Sequence, residues 1–172
     1  MYDTVKFYLR CWESEKKSLL SQFDFQKDTK VRYECWSYQL DNLIIKVYDS
    51  SITIEGSLAK FYYKNSFYLL GREDIKQAID LLSGILRLDI NSAHVTRIDT
   101  AADFEMYHNT KKYLPFLGNY SRHKRELYKG TTLYYISKSH TCAFYDKGKE
   151  LQGKEGAESC LLRFESRWFK PS

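Results

Sequence analysis

Three segments in the second half of the chain alternate titratable and apolar side chains with a period of two, a pattern that suits half-buried strands. In VTRIDTAADF (residues 95–104), Arg97, Asp99, Ala101 and Asp103 share one face, and Thr96, Ile98, Thr100, Ala102 and Phe104 the other. In TCAFYDKGKE (141–150), Tyr145, Lys147 and Lys149 lie together, opposite Cys142, Phe144 and Asp146. LLRFESRW (161–168) groups Arg163, Glu165 and Arg167 and turns Leu162, Phe164 and Trp168 the other way. If these strands are neighbours in one sheet, their polar faces assemble carboxylates, cations and a phenol in one patch.

The rest of the chain fits the same architecture. YDTVKFYL reads as a first strand, Glu13 to Phe23 as a helix, and VRYECWSYQL and NLIIKVYDS as a hairpin turning at Asp41-Asn42. SITIEGSLAKFYY continues the sheet, with Gly56 marking a bulge or a close approach. REDIKQAIDLLSGILRL is the plainest helix, with Ile75, Ile79, Leu82 and Leu86 on one stripe and acids at its start. A short helix from Thr110 to about Leu117 and a basic connector, SRHKRELYKG, precede the last three extended segments. The expected class is α+β: a central, mainly antiparallel sheet with two to three flanking helices.

With 172 residues, 43% of them hydrophobic, and no repeat or linker, the chain reads as a single domain over residues 1–172. Aromatics at 16%, 15 of them Tyr, against 2 Pro favour sheet over bundle. A net charge of +5 permits a polyanionic partner without requiring one. Cys11, Cys35, Cys142 and Cys160 are scattered, without a CxxC pair, and read as small core residues in a reducing cytoplasm. No apolar run approaches the roughly 18 residues of a membrane span, so no membrane partner is expected.

The polar patch suggests its own chemistry. Two or three carboxylates on one sheet face can hold Mg²⁺ or Mn²⁺, hard ions that select oxygen ligands. Arginine and lysine nearby neutralise phosphate oxygens, and a tyrosine can attack phosphorus in line to form a phosphotyrosyl link. On this reading Tyr145 is the nucleophile, and Lys147 and Lys149 lower its effective pKa or hold the scissile phosphate. Tyr134 and Tyr135 are its rivals.

VTRIDTAADF, GTTLYYISKSHTCAFYDKGKE and LLRFESRW, in this order and spacing, with IEGSLAKFYYKN as a weaker upstream block, resemble the replication initiators of filamentous phages and related plasmids. The resemblance implies an HUH-endonuclease-like fold and rolling-circle initiation, in which one strand of origin DNA is cut through a 5′-phosphotyrosine and later rejoined. It implies Tyr145 as nucleophile, Lys147 or Lys149 as its assisting cation, and Asp99 and Glu165 as metal ligands, with Asp103 beside them. Arg97, Arg163, Arg167, Lys60, Arg122, Lys124 and Arg125 are the expected DNA contacts, and host replication proteins the further partners. The chain departs from the HUH pattern, because His94, His108, His123 and His140 form no pair spaced by one apolar residue. The resemblance therefore implies a carboxylate-based metal site, with His94 or His140 nearby. Members are usually longer, which leaves room for a C-terminal portion.

Each feature also has a plain structural reading. Asp99 and Glu165 can be partners of Arg97 and Arg163 in an ion-pair network. Lys147 and Lys149 can be a solvated edge that discourages strand pairing, and Arg122 to Arg125 a solvated loop. The alternative to an enzyme is a non-catalytic, single-stranded nucleic-acid-binding module of the same fold; a structural accessory protein is a third. The enzyme requires Tyr145, Asp99 and Glu165 to converge, whereas the binding module leaves them scattered or sealed into ion pairs.

Overall fold

The computed structural model describes residues 2–29, 34–65, 68, 70–148 and 160–169, and the chain divides into two compact units, Tyr2–Ile98 and Asp99–Ser172. The expected antiparallel sheet with a few helices is present in its strand pairing. No helix among the described residues is long and apolar enough to cross a membrane.

In the first unit, β1 (Tyr2–Arg10) is followed by α1 (Glu13–Gln22), β2 (Gln26–Lys27), β3 (Trp36–Leu40), β4 (Leu43–Val47) and β5 (Ser51–Ser57). Then come α2 (Leu58–Tyr63), α3 (Arg72–Leu86) and the start of β6 (His94–Glu105). The strands pair antiparallel in the order β2-β3-β4-β5-β1. The β3–β4 hairpin turns at Asp41-Asn42 as the sequence indicates, with Asp41 at φ 53°. Alternation along β4 and β5 buries Leu43, Ile45, Val47, Ile52 and Ile54, against which α3 packs Ala78, Leu82 and Leu86.

One expectation fails in this unit. The sheet does not continue through LAKFYY; the strand stops at Ser57 and α2 begins. Ser57 is the N-cap, its hydroxyl accepting the Lys60 amide, and the helical spacing of Leu58 and Phe61 buries both. Gly56, which the sequence marks as a close approach, sits at φ 156°, and a Cβ there would lie 2.5 Å from the Asn42 carbonyl oxygen.

The second unit contains the rest of β6, then β7 (Lys124–Tyr128), β8 (Thr132–Ile136), β9 (His140–Asp146) and β10 (Leu161–Phe169), in the sheet order β6-β10-β9-β8-β7. The last strand in sequence is thus inserted between β6 and β9. Within 110–117 the single helix expected is instead two 3₁₀ turns, Thr110–Lys112 and Leu114–Phe116, with Pro115 breaking the run. The basic connector is also more ordered than expected. It forms β7, joined to β8 by a turn in which Lys129 and Gly130 both have positive φ.

The cysteine reading holds for Cys35 and Cys142, which are buried; Cys11 is half-buried and Cys160 exposed, and all four are free thiols. Because the backbone at Gly56 admits no Cβ without moving β4, Gly56→Ala should destabilise the protein by about 2 kcal/mol or more, read as a lower urea midpoint.

Candidate active site

Register along β9 and β10 builds the candidate site. Arg163 lies opposite Tyr145, and Glu165 opposite Ala143, so Tyr145 and Glu165 are diagonal neighbours on one face. The methyl of Ala143 leaves the space through which the Tyr145 hydroxyl reaches Glu165 and donates a short hydrogen bond to its Oε1. The other carboxylate oxygen, Oε2, accepts from Arg167 Nη2 at 2.8 Å. Arg167 Nε lies 3.7 Å from Asp99 Oδ2. Arg163 grips Asp103 with a two-pronged contact, 2.6 Å on each side.

Three of these charges are buried and two are not. Asp99 and Arg163 are each 2% exposed and Glu165 5%, so these three need counter-charges, whereas Asp103 and Arg167 keep part of their side chains in solvent. Burial pushes the Glu165 carboxyl up, but the hydrogen bonds from Tyr145 and Arg167 and the charges of Arg167 and Arg163 outweigh it and hold the group below its ordinary value.

The three strands therefore bring Tyr145, Glu165, Asp99, Asp103, Arg163 and Arg167 together. β9 ends at Asp146, and Lys147 lies in the helical turn that follows, where it is 2% exposed and not a solvated edge cation. Other expected residues fall elsewhere. Lys149 lies outside the described residues. Arg97 belongs to the first unit, where it meets Glu55 at 2.8 Å, and Glu55 also binds Lys6 at 2.9 Å. Lys60 lies on α2 in that unit.

Arg125 is not a free backbone-contacting cation. Its guanidinium donates to the carbonyls of Leu114, Pro115 and Leu117 and braces the 3₁₀ segment. Arg122 is exposed, and Lys124, also exposed, pairs with Glu126 at 2.5 Å. Among the rival tyrosines, Tyr135 is buried on the opposite face and donates to the Gly118 carbonyl, whereas Tyr134 sits beside Ala143 on the face of Tyr145.

The metal expectation meets a different arrangement. Among the described residues, no group of three His, Cys, Asp or Glu side chains could hold a metal ion. Asp99 and Glu165 do approach a common point, but the guanidinium of Arg167 stands between them and Arg163 takes Asp103. As placed, the donor set fits an internal cation rather than Mg²⁺ or Mn²⁺. Sequence reasoning also missed the hydrogen bond between Tyr145 and Glu165, whose signal is the diagonal spacing of YDK and RFE on paired strands.

A sequence family described as the N-terminal region of a phage replication-associated protein matches residues 1–167. The chain belongs to this family. Among solved structures, it is similar to a rolling circle replication initiator protein from Geobacillus stearothermophilus, with a TM-score of 0.51 and 13% identity. That match covers 98% of this chain and 73% of the other, and at such low identity it bears on the fold. The expected resemblance to initiators and the expected HUH-like fold are thus both found. No curated protein sequence matches the chain.

A carboxyl with a depressed folded-state pKa adds stability that is complete above its unfolded value, here about 4.5, and is lost as pH falls through the lower folded value. Glu165→Gln should therefore lower stability at neutral pH and flatten its decline below about pH 4.5. Urea unfolding across the acid range measures both; an unchanged acid slope would contradict the pairing.

Proposed function

We propose that this chain is the nicking and rejoining domain of a replication initiator, acting on single-stranded origin DNA through Tyr145. The observation that supports the reading is the hydrogen bond from the Tyr145 hydroxyl to Glu165, because a weak phenol nucleophile is activated by an adjacent carboxylate that can take its proton. Arg167, with its side chain 31% exposed, is the cation best able to meet a phosphate oxygen without leaving the site.

In the forward step, the Tyr145 oxygen bonds to phosphorus and the bond from phosphorus to the 3′ oxygen breaks. The 5′-phosphoryl end stays on the protein. Glu165 accepts the phenolic proton, and the departing 3′ oxygen gains one through solvent. Rejoining is the reverse, with a 3′-hydroxyl attacking the phosphotyrosine.

Mg²⁺ or Mn²⁺ dependence, which the resemblance implies, is not routed through these residues; Asp99 and Glu165 are the carboxylates such an ion would have to share with Arg167. Arg122 and Lys124 are the exposed cations best suited to the DNA backbone. Host replication proteins, as further partners, and a cytoplasmic location belong to the same proposal.

A second reading has a specific observation in its favour. Asp99, Asp103 and Glu165 converge with Tyr145, yet each is also closed into an ion pair with arginine, as a binding module without cleavage would allow. Incubation with labelled single-stranded origin DNA and Mn²⁺, followed by denaturing gel electrophoresis, separates the two. The nicking reading predicts a covalent adduct that disappears in Tyr145→Phe and forms about 100-fold more slowly in Glu165→Gln. An adduct persisting in Tyr145→Phe moves the nucleophile to another residue, Tyr134 first, and no adduct with any strand leaves the binding module.

A further inference from the structure

The face of the second unit opposite Tyr145 contains a cavity of about 530 Å³ that the nicking chemistry does not use. Its origin lies in the strand register. Tyr135, Cys142 and Ser166 form a middle row across β8, β9 and β10; His140 and Trp168 form the row on one side, and Phe144 and Phe164 the row on the other. Two small side chains between two rows of rings leave a hollow that the rings wall but do not fill. Among the described residues the buried apolar cluster is correspondingly small: Leu114, Leu133, Tyr135, Cys142 and Leu162.

The hollow has a roof and an open side. Leu117 to Tyr120 pass over it, and the Tyr135 hydroxyl ties this segment down through the Gly118 carbonyl. Trp168 is 51% exposed and Tyr120 50%, so both rings present faces to solvent at the rim. Trp168 stacks on His140 at 4.0 Å between centroids, and Tyr120 stacks on His123 at 4.3 Å.

The polar atoms inside are few and held in place. His140 Nε2 lies 2.8 Å from Ser166 Oγ, and His140 Nδ1 lies 3.2 Å from His123 Nε2. Burial first, and the neighbouring His123 second, keep His140 below the usual imidazole range, which favours a neutral ring that can both donate and accept. The Asn119 side chain adds a further donor and acceptor, and no lining residue is acidic. Exposed cations flank the opening in sequence: Arg122 and Lys124 beside His123, and Lys138 beside His140.

We propose that this cavity receives an unstacked nucleobase of single-stranded DNA. The size fits the roughly 300–1,000 Å³ of pockets for small organic groups, and the lining joins aromatic walls to a few converging polar atoms. Every base offers a π-face to Trp168 or Tyr120 and a hydrogen-bonding edge to Ser166 or Asn119, with His140 holding the Ser166 hydroxyl in place, while its phosphates meet the flanking cations. An aliphatic peptide side chain would use the rings but neither the Asn119 amide in the lining nor the exposed Arg122 and Lys138. The inference rests on single-stranded DNA being the substrate, but not on Tyr145 cutting it.

The test therefore uses Tyr145→Phe protein, so that no covalent link contributes to binding. The probes are a labelled homothymidine strand of about ten nucleotides and a strand of equal length and charge made of abasic sugars. Fluorescence anisotropy should show the homothymidine strand binding about tenfold more tightly, a difference of about 1.4 kcal/mol. Tryptophan emission should be quenched by that strand alone. Trp168→Leu should abolish most of the preference and of the quenching, with circular dichroism confirming the fold. Tyr120→Ala, at the exposed rim, should reduce the preference as well, and decides the matter if Trp168→Leu does not fold. Equal affinity for the two strands, or an unchanged preference in the folded variants, overturns the pocket. Adduct formation by the native protein in that case leaves the role of Tyr145 standing.

Discussion

Burial of Asp99, Arg163 and Glu165 on one sheet face is the constraint on which the second unit depends. Charges removed from water are tolerated when each finds a counter-charge and its remaining polar atoms find hydrogen bonds. The face meets the first of these demands with Arg163 on Asp103 and Arg167 between Glu165 and Asp99. A carboxylate held between Arg167 and the Tyr145 hydroxyl has little freedom, so the phenol is held in one orientation.

The same sheet has two faces with opposite characters, and both come from one alternation. Tyr145, Arg163, Glu165 and Arg167 point one way; His140, Cys142, Phe144, Ser166 and Trp168 point the other. A charged face suits the transfer of a phosphoryl group, and an aromatic, nearly charge-free face suits a base. On the function proposed, one face would act on a phosphate of the strand and the other would hold a base farther along it.

Much of this is legible in the sequence because period-two alternation is a local signal. The grouping of Asp99, Asp103, Arg163, Glu165, Arg167 and Tyr145 needs the added assumption that three segments are neighbours, and the sheet order meets it. Strand ends are not legible. YDKGKE keeps alternating past Asp146, where the strand stops and a helical turn begins, so the pattern extends beyond the strand it describes. LAKFYY is rich in residues that favour strands, and its helix is set by the hydroxyl cap of Ser57 and by burial of Phe61. The partners of Arg125 are backbone carbonyls of the preceding 3₁₀ segment, which leave no trace in side-chain pattern. The aromatic cavity is hidden for a related reason: it depends on Cys142 and Ser166 being cross-strand neighbours.

The central claim is that the Tyr145 hydroxyl, held by Glu165, is the group that takes up DNA. The most direct measurement is mass spectrometry of the protease-digested protein after reaction with single-stranded origin DNA and nuclease trimming, which locates the residual nucleotide on the chain. The account predicts a phosphodiester-linked nucleotide on Tyr145. A nucleotide on Tyr134 or on any other residue would contradict it.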